Sequence, residues 1–134
     1  FYEEVKYRIR NSRELKKYIE KVIREERKVP GDLNFILTND EKVKRINSEF
    51  MGRNYTTDVI AFNYNEGKTI NGEIYVSLET VFKNSKIYGV SLRKEVMRVI
   101  IHGVLHLCGY NDKEISESIA MKEKEEKYLN DYIG

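Results

Sequence analysis

The only two histidines of this 134-residue chain, His102 and His106, lie four residues apart within its most apolar segment. Apolar residues recur there at helical spacing, so a helix with one buried face is predicted from Glu95 to Cys108. Residues four apart lie on the same face of a helix, one turn above the other. Two imidazole nitrogens can therefore converge on a metal ion at roughly 2.0–2.1 Å.

The residues after this helix offer a third ligand. Gly109 can adopt the left-handed conformation that ends a helix and turns the chain back. That turn would bring Asp112 to the same point, and its carboxylate is an acceptable zinc ligand. Three protein ligands leave one position open for water, as in catalytic zinc sites, whereas structural zinc sites are closed by four. The alternative is a pair of hydrogen-bonded histidines in the core.

Composition limits the class of protein. With 34% charged and 40% hydrophobic residues, we expect a packed core rather than disorder, and residues 1–134 have the length of one domain. The net charge of +2 excludes a strongly basic nucleic-acid coat but not a local basic patch. A single cysteine excludes an intrachain disulfide. The first residues are acidic, which is not typical of a signal peptide. No apolar stretch approaches the ~20 residues that span a bilayer. We therefore expect a cytoplasmic protein without a membrane partner.

Hydrophobic periodicity and capping residues predict four strands and five helices. The predicted strands cover residues 5–9, 33–37, 57–62 and 72–77. The predicted helices cover residues 11–28, 38–50, 77–89, 91–109 and 116–132. Asn11 with Glu14 is predicted to cap the first helix, and Pro30 is predicted to lie in a turn. These elements predict an α+β fold in which a small mixed four-stranded sheet is covered by about five helices.

Residues 102–112 carry a recognisable motif. Their sequence, HGVLHLCGYND, resembles the signature H-G-x-L-H-L-x-G-Y-D-H of the YbeY endoribonuclease family. The chain departs from it at Asn111, where the family has aspartate, and at Asp112, where the family has a third histidine. Aspartate also binds zinc, but carboxylate ligands suit manganese and magnesium as well.

Further segments resemble the same family in the same order along the chain. They are INSEF at 46–50, TDVIAF at 57–62, GEIYVS at 72–77, and Met121 with Glu125 and Leu129. The resemblance thus covers nearly the whole chain. The family has an arginine directly after the first of these segments; here Met51 stands there, and the nearest arginine is Arg53.

The resemblance implies a zincin-like metal-hydrolase core and a single-strand-specific endoribonuclease that uses one zinc ion per chain. His102, His106 and Asp112 would hold the zinc. Arg53 would stabilise charge on the phosphate, and Asp58 would act as a general base or orient a ligand. The implied role is 16S rRNA 3′-end processing and ribosome quality control. The implied partners are single-stranded ribosomal RNA, the small ribosomal subunit and assembly factors, and not DNA.

Other residues could contact RNA. Aromatic residues on which bases could stack are Tyr55, Phe62, Tyr64 and Tyr110. Basic residues that could form a phosphate track, if they line one side of the cleft, are Lys42, Lys44, Arg45, Arg53, Lys83, Lys86, Arg93, Lys94 and Arg98.

Other functions stay open at this point. Zinc proteases with the motif H-E-x-x-H carry a glutamate base beside the first histidine, and Gly103 stands there instead. A peptidase of that kind therefore lacks its base, although Asp58 or Glu73 could serve as one in another reaction. The departures at Met51, Asn111 and Asp112 motivate a second candidate after the endoribonuclease, a ribosome-assembly factor that binds RNA or protein partners and has weak or lost catalysis. A metal hydrolase of small phosphoesters or amides is a third candidate.

Overall fold

The computed structural model describes residues 1–133, which form four strands and five helices. The strands are β1 Tyr2–Glu3, β2 Val29–Thr38, β3 Val59–Asn63 and β4 Thr69–Ser77. The helices are α1 Ser12–Glu25, α2 Asp40–Met51, α3 Leu78–Tyr88, α4 Leu92–Leu107 and α5 Ile115–Ile133. None of these helices is both long and apolar enough to cross a membrane.

The strands form one mixed sheet in the order β1-β2-β4-β3. Strand β2 pairs in parallel with both β1 and β4, whereas β3 pairs antiparallel with β4 and forms the far edge. The pairing of Ala61 with Ile74 fixes the register of that edge. The predicted mixed four-stranded sheet with about five helices is confirmed.

The two faces of the sheet bury separate sets of side chains, because alternate residues of a strand point in opposite directions. Ile74 and Val76 of β4 belong to the main core, which also takes in α1, α3, α4 and α5. On the opposite face, Tyr75 packs against a smaller cluster built around Val43 and Ile46 of α2. The sheet therefore lies between α2 and the remaining helices.

Helix caps match the predicted boundaries in the second half of the chain. Ser77 and Ser91 accept hydrogen bonds from the first-turn amides of α3 and α4, and Gly89 ends α3 with φ +65°. These contacts satisfy backbone groups that a helix end leaves unpaired. The bounds of α3 and the start of α4, the helix that carries both histidines, therefore follow from local chemistry.

Three predictions in the first half of the chain are wrong. Residues 5–9 are irregular: their side chains alternate inward and outward as predicted, but the backbone pairing with β2 ends at Glu4. Asn11 adopts φ +55° and makes no side-chain cap, so the pair with Glu14 does not form. Pro30 lies within β2, opposite Ile70, at a point where the register shifts. A β-strand tolerates proline at such an irregularity.

Candidate metal centre

Helix α4 presents both histidines on one face, as their spacing predicts. The two Nε2 atoms lie 3.1 Å apart, and the side chains are 20% and 29% exposed. Between them, Gly103 lies against β4 so closely that a Cβ there would sit 3.0 Å from Ile74 Cγ2. A larger residue would need Ile74 to shift by a few tenths of an ångström, so glycine favours the close packing of this helix on the sheet that orients the histidine face.

The turn after α4 brings Asp112 to the histidine pair. Gly109 adopts φ +111°, and the Tyr110 amide donates to the Leu105 carbonyl at 3.0 Å, which closes the helix. Asp112 Oδ2 then lies 3.7 Å from His102 Nε2 and 3.6 Å from the Nε2 of His106. The three predicted ligands are thus brought together.

The spacing of these three atoms fits a tetrahedral zinc ion. Ligands at about 2.0–2.1 Å from zinc in tetrahedral geometry lie roughly 3.4 Å from one another. The three observed separations, 3.1, 3.6 and 3.7 Å, bracket that value. The two imidazoles and one carboxylate are also donor groups that zinc accepts.

The other nitrogen of each ring already has a partner. His102 Nδ1 is hydrogen-bonded to Glu125 Oε2, and His106 Nδ1 donates to the Tyr110 carbonyl at 3.0 Å. A carbonyl oxygen can only accept, and the donation by Arg98 to the other oxygen of the Glu125 carboxyl group, at 3.0 Å, favours Glu125 as the acceptor from His102. Each neutral ring therefore carries its proton on Nδ1 and directs an Nε2 lone pair at the other ring and at Asp112. Three acceptors that face one point without a donor are an arrangement that could hold a cation.

Electrostatics favours the neutral form of His106. Burial, and next the adjacent His102, lower the pKa of His106, while Asp112 acts in the opposite direction. The neutral ring is the form that coordinates a metal.

Behind the histidines lies a network in which the partly exposed Arg98 joins two buried glutamates. Arg98 donates to Glu95 through Nε and Nη2, at 2.9 and 2.6 Å, and contacts Glu125 through Nη1. Glu95 and Glu125 are 1% and 4% exposed. Hydrogen bonds to Glu95 raise the pKa of Arg98 above its usual range, so the guanidinium remains charged.

Asp58 lies at the outer end of this network. Its Oδ2 is 3.6 Å from Arg98 Nη2, and its side chain is 25% exposed. Asp58 also lines the cleft that opens over the metal centre. Glu73, the other candidate base, instead accepts from the exposed Tyr64 hydroxyl at 3.0 Å and does not line that cleft.

Arg53 reaches the same cleft from the loop that follows α2. Gly52 adopts φ +66° at the helix end, and the Arg53 amide donates to the Asn47 carbonyl at 3.1 Å. Asn47 is buried and its Nδ2 donates to the Tyr55 carbonyl at 2.8 Å, which holds the loop in place. The arginine side chain remains exposed.

The metal cleft has a volume of about 610 Å³ and contains all five residues predicted for the site. These are Arg53, Asp58, His102, His106 and Asp112. The cations that line it are Arg53 and Lys113, and the aromatic residue is Tyr55. The other basic residues do not form one track: Lys42 pairs with Glu4, for example, and Arg98 points into the buried network.

The remaining aromatic candidates have other contacts. Phe62 is half-buried and packs edge-on against Phe50 and Tyr75. Tyr110 is half-buried and donates its hydroxyl to Glu26 at 2.6 Å. Tyr55 is thus the stacking candidate that the structure brings to the cleft.

The partners of the histidine Nδ1 atoms do not follow from the sequence motif. Glu125 belongs to a second motif with no stated role, and the Tyr110 partner is a backbone carbonyl, which no side-chain pattern reveals. One signal was available, because Glu125 occupies the same helical face of α5 as Met121 and Leu129, which are buried. A glutamate on an apolar face predicts a buried, paired carboxylate.

Comparison with known proteins agrees with the motif. The family model described as endoribonuclease YbeY matches residues 2–133. Endoribonuclease YbeY of Flavobacterium psychrophilum is 37% identical over 126 residues, covering 94% of this chain and 90% of that protein. The protein of the same name from Chlorobaculum tepidum is 41% identical over 115 residues, or 86% and 84% of the two chains.

A solved structure agrees with the fold. The solution structure of TM1509 from Thermotoga maritima superposes with a TM-score of 0.65 at 34% identity, covering 93% of this chain and 85% of that one. The family match over residues 2–133 and the identities of these relatives show that this chain belongs to the endoribonuclease YbeY family.

Proposed function

We propose that this chain is a metal-dependent endoribonuclease that cleaves single-stranded RNA, and that residues 1–134 form one catalytic domain. His102, His106 and Asp112 would hold one zinc ion. The convergence of two Nε2 lone pairs and a carboxylate oxygen, with separations of 3.1 to 3.7 Å, carries this proposal. The names of the relatives support a nuclease rather than another metal hydrolase.

The proposed chemistry assigns separate tasks to the metal and to the chain. Zinc supplies a Lewis acid that polarises a phosphoryl oxygen and makes water nucleophilic near neutral pH. The carboxylates that line the cleft are Asp58 and Asp112. With Asp112 assigned to the metal, Asp58 is the cleft carboxylate that can accept a proton from the attacking group.

The loop residues of the cleft would hold the RNA. Arg53 and Lys113 are the cations that line it, and they would contact phosphate oxygens and offset the charge that develops during cleavage. Tyr55 is 54% exposed, and a base could stack on its free face. This cleft would admit a flexible single strand.

Ribosomal RNA is the proposed substrate, with action at the 3′ end of 16S rRNA, in ribosome quality control, and in contact with the small subunit and its assembly factors. The family motif at residues 102–112 supports this part of the proposal. We propose a cytoplasmic location for the same reason.

One departure from the family motif supports a second candidate function, that of an RNA-binding assembly factor with weak catalysis. Met51 occupies the position of the family arginine, and Arg53 extends from an exposed loop two residues later. If Arg53 does not reach the phosphate during cleavage, RNA binding would persist while the rate falls.

Metal content and cleavage of single-stranded RNA, measured in the same samples, test the proposal. The samples are the wild type, His102→Ala, Asp112→Ala and the matched control Glu114→Ala, which removes an exposed carboxylate from the same loop. We expect about one zinc per chain in the wild type and in the control, and loss of both metal and cleavage in the other two variants.

Each other result has a defined meaning. Metal retained by Asp112→Ala would show that the third ligand is wrongly assigned. Zinc binding by a wild type that never cleaves RNA would favour the assembly factor. A wild type that takes up no metal would contradict the metal centre.

A further inference from the structure

We propose that Arg98 and Glu125 are positioning residues: Arg98, held by Glu95, fixes Glu125 so that its carboxylate orients the His102 ring toward the metal. This inference rests on the metal site of the proposed function. It assigns a role to a charged network that does not itself reach the metal position.

The hydrogen bonds run in one continuous chain from the core to the metal centre. Glu95 uses both oxygens on Arg98, at 2.9 Å to Nε and 2.6 Å to Nη2. The remaining nitrogen of the guanidinium, Nη1, lies 3.0 Å from Glu125 Oε1. The second oxygen of Glu125, Oε2, is hydrogen-bonded to His102 Nδ1. Each polar atom thus has a defined partner.

Burial makes this arrangement rigid. Glu95 and Glu125 are 1% and 4% exposed, and a buried carboxylate without a partner costs several kcal/mol. Arg98 is the cation that contacts both. Rotation of the Glu125 side chain away from His102 would strain its contact with Arg98 as well, so the network favours the observed orientation.

Stability alone does not require this geometry. An ion pair between Glu95 and Arg98 would be complete without Glu125, because the paired oxygens of Glu95 already meet two guanidinium nitrogens. Glu125 comes from a different helix, α5, and its Oε2 extends the network to the histidine. A carboxylate on the far nitrogen of a ligating histidine fixes its tautomer and increases its basicity toward the metal.

The network also reaches Asp58, which lines the cleft together with the histidines. Arg98 Nη2 lies 3.6 Å from Oδ2 of Asp58, the residue before β3. One guanidinium therefore contacts the proposed proton acceptor and the group that orients a metal ligand. This contact predicts that a change at Arg98 alters both metal affinity and the cleavage rate of the zinc-loaded protein.

Zinc affinity of metal-free protein, measured by competition with a chromophoric chelator, tests the proposal. The variants are Glu125→Gln, which keeps the shape but removes the charge, and Arg98→Lys, which keeps the charge but loses the forked contact. The controls are Glu123→Gln, at an exposed glutamate of α5, and Arg13→Lys, at an exposed arginine of α1. We expect zinc affinity to fall about 10- to 100-fold in the two variants and to stay within twofold in the controls.

A second readout separates positioning from stability. In the metal-free wild type, at a pH where both rings are neutral, ¹⁵N NMR should find His102 protonated on Nδ1, and Glu125→Leu should give a mixture of tautomers. Thermal unfolding of the same metal-free samples verifies that each variant is folded. If a variant does not fold, the tautomer of the wild type and the affinity of the remaining variant still decide the question.

The outcomes distinguish this proposal from the proposed function. Zinc affinity unchanged in Glu125→Gln and Arg98→Lys, with only the melting temperature lowered, would overturn the positioning role alone. A wild type that binds zinc but leaves RNA intact would overturn the nuclease and not the positioning role. A wild type that binds no zinc would overturn both.

Discussion

On the helical wall of the cleft, His102 and His106 are held by buried groups of α4, α5 and the turn at Gly109. On the loop wall, residues 52–56 are exposed and carry Arg53 and Tyr55. The helical wall fixes the direction of each ring nitrogen. On the loop wall, the Asn47 side chain holds the backbone through its hydrogen bond to the Tyr55 carbonyl, whereas the side chains of the loop extend into solvent.

This difference separates two requirements of the proposed reaction. A metal centre requires ligands held within a fraction of an ångström, because misplacement by about 1 Å can cost a hundredfold in rate. A single strand of RNA is flexible, so its contacts can adapt. We therefore expect substitutions on the helical wall to alter metal binding, and substitutions on the loop wall to alter RNA cleavage or binding with the metal in place.

The largest effect is expected from His106→Ala. Loss of one of three ligands removes the metal, and with it a stabilisation of several kcal/mol, on the order of a thousandfold in rate. Zinc content and RNA cleavage should fall together. Retention of full zinc content in this variant would contradict the role assigned to the helical wall.

The next effect is expected from Arg53→Ala. Loss of a cation aimed at developing phosphate charge should lower cleavage on the order of a hundredfold, while zinc affinity stays unchanged. Arg53→Lys should recover part of the rate, and Arg13→Ala, at an exposed arginine of α1, serves as the control. A rate within twofold of the wild type would favour the assembly-factor candidate or another phosphate contact.

Gly103→Ala tests how the sheet sets the helical wall. The added Cβ would sit 3.0 Å from Ile74, so we expect about 1–3 kcal/mol of destabilisation and weaker zinc binding. The clash involves one side chain, so the same substitution should cost less in an Ile74→Ala background. Equal costs in the two backgrounds, by denaturant unfolding, would disprove this contact as the cause.

Tyr55→Ala examines the loop wall. Stacking of a base on an aromatic ring is worth about 1–3 kcal/mol, so we expect roughly tenfold weaker binding of single-stranded RNA without loss of zinc. Tyr64 is a matched control, because it is 55% exposed against 54% for Tyr55 but lies outside the cleft. Equal losses from Tyr55→Ala and Tyr64→Ala would remove Tyr55 from the proposed RNA contacts.

The smallest effect is expected from Tyr110→Phe. Its hydroxyl donates to Glu26, whereas its backbone carbonyl holds His106 Nδ1, and the substitution removes only the first contact. Stability should fall by about 1 kcal/mol in thermal unfolding. Zinc affinity should remain within twofold, in contrast to Glu125→Gln; a larger loss would show that both histidines depend on side-chain networks.

Local patterns predict the parts of the molecule that local chemistry determines. The histidine spacing and Gly109 predict that three ligand atoms converge, because a helix face and a left-handed turn have known geometry. The caps at Ser77 and Ser91 are local in the same way. The positions of these residues in the structure agree with those predictions.

Contacts between distant segments were harder to predict. Glu125 meets His102 across 23 residues, and nothing within α5 indicates which side chain of α4 lies opposite. The alternation at residues 5–9 matched the burial but not the backbone pairing, because a strand also requires a partner along its length. Strand order and the ends of β2 depend on such long-range pairing.

The most direct test of the metal centre is the position of zinc in a crystal of the wild-type protein grown with zinc. We predict one anomalous-scattering peak, at roughly 2.0–2.2 Å from His102 Nε2, His106 Nε2 and an Asp112 oxygen. An empty site in crystals that hold zinc elsewhere, or a peak that excludes either histidine, would contradict the account.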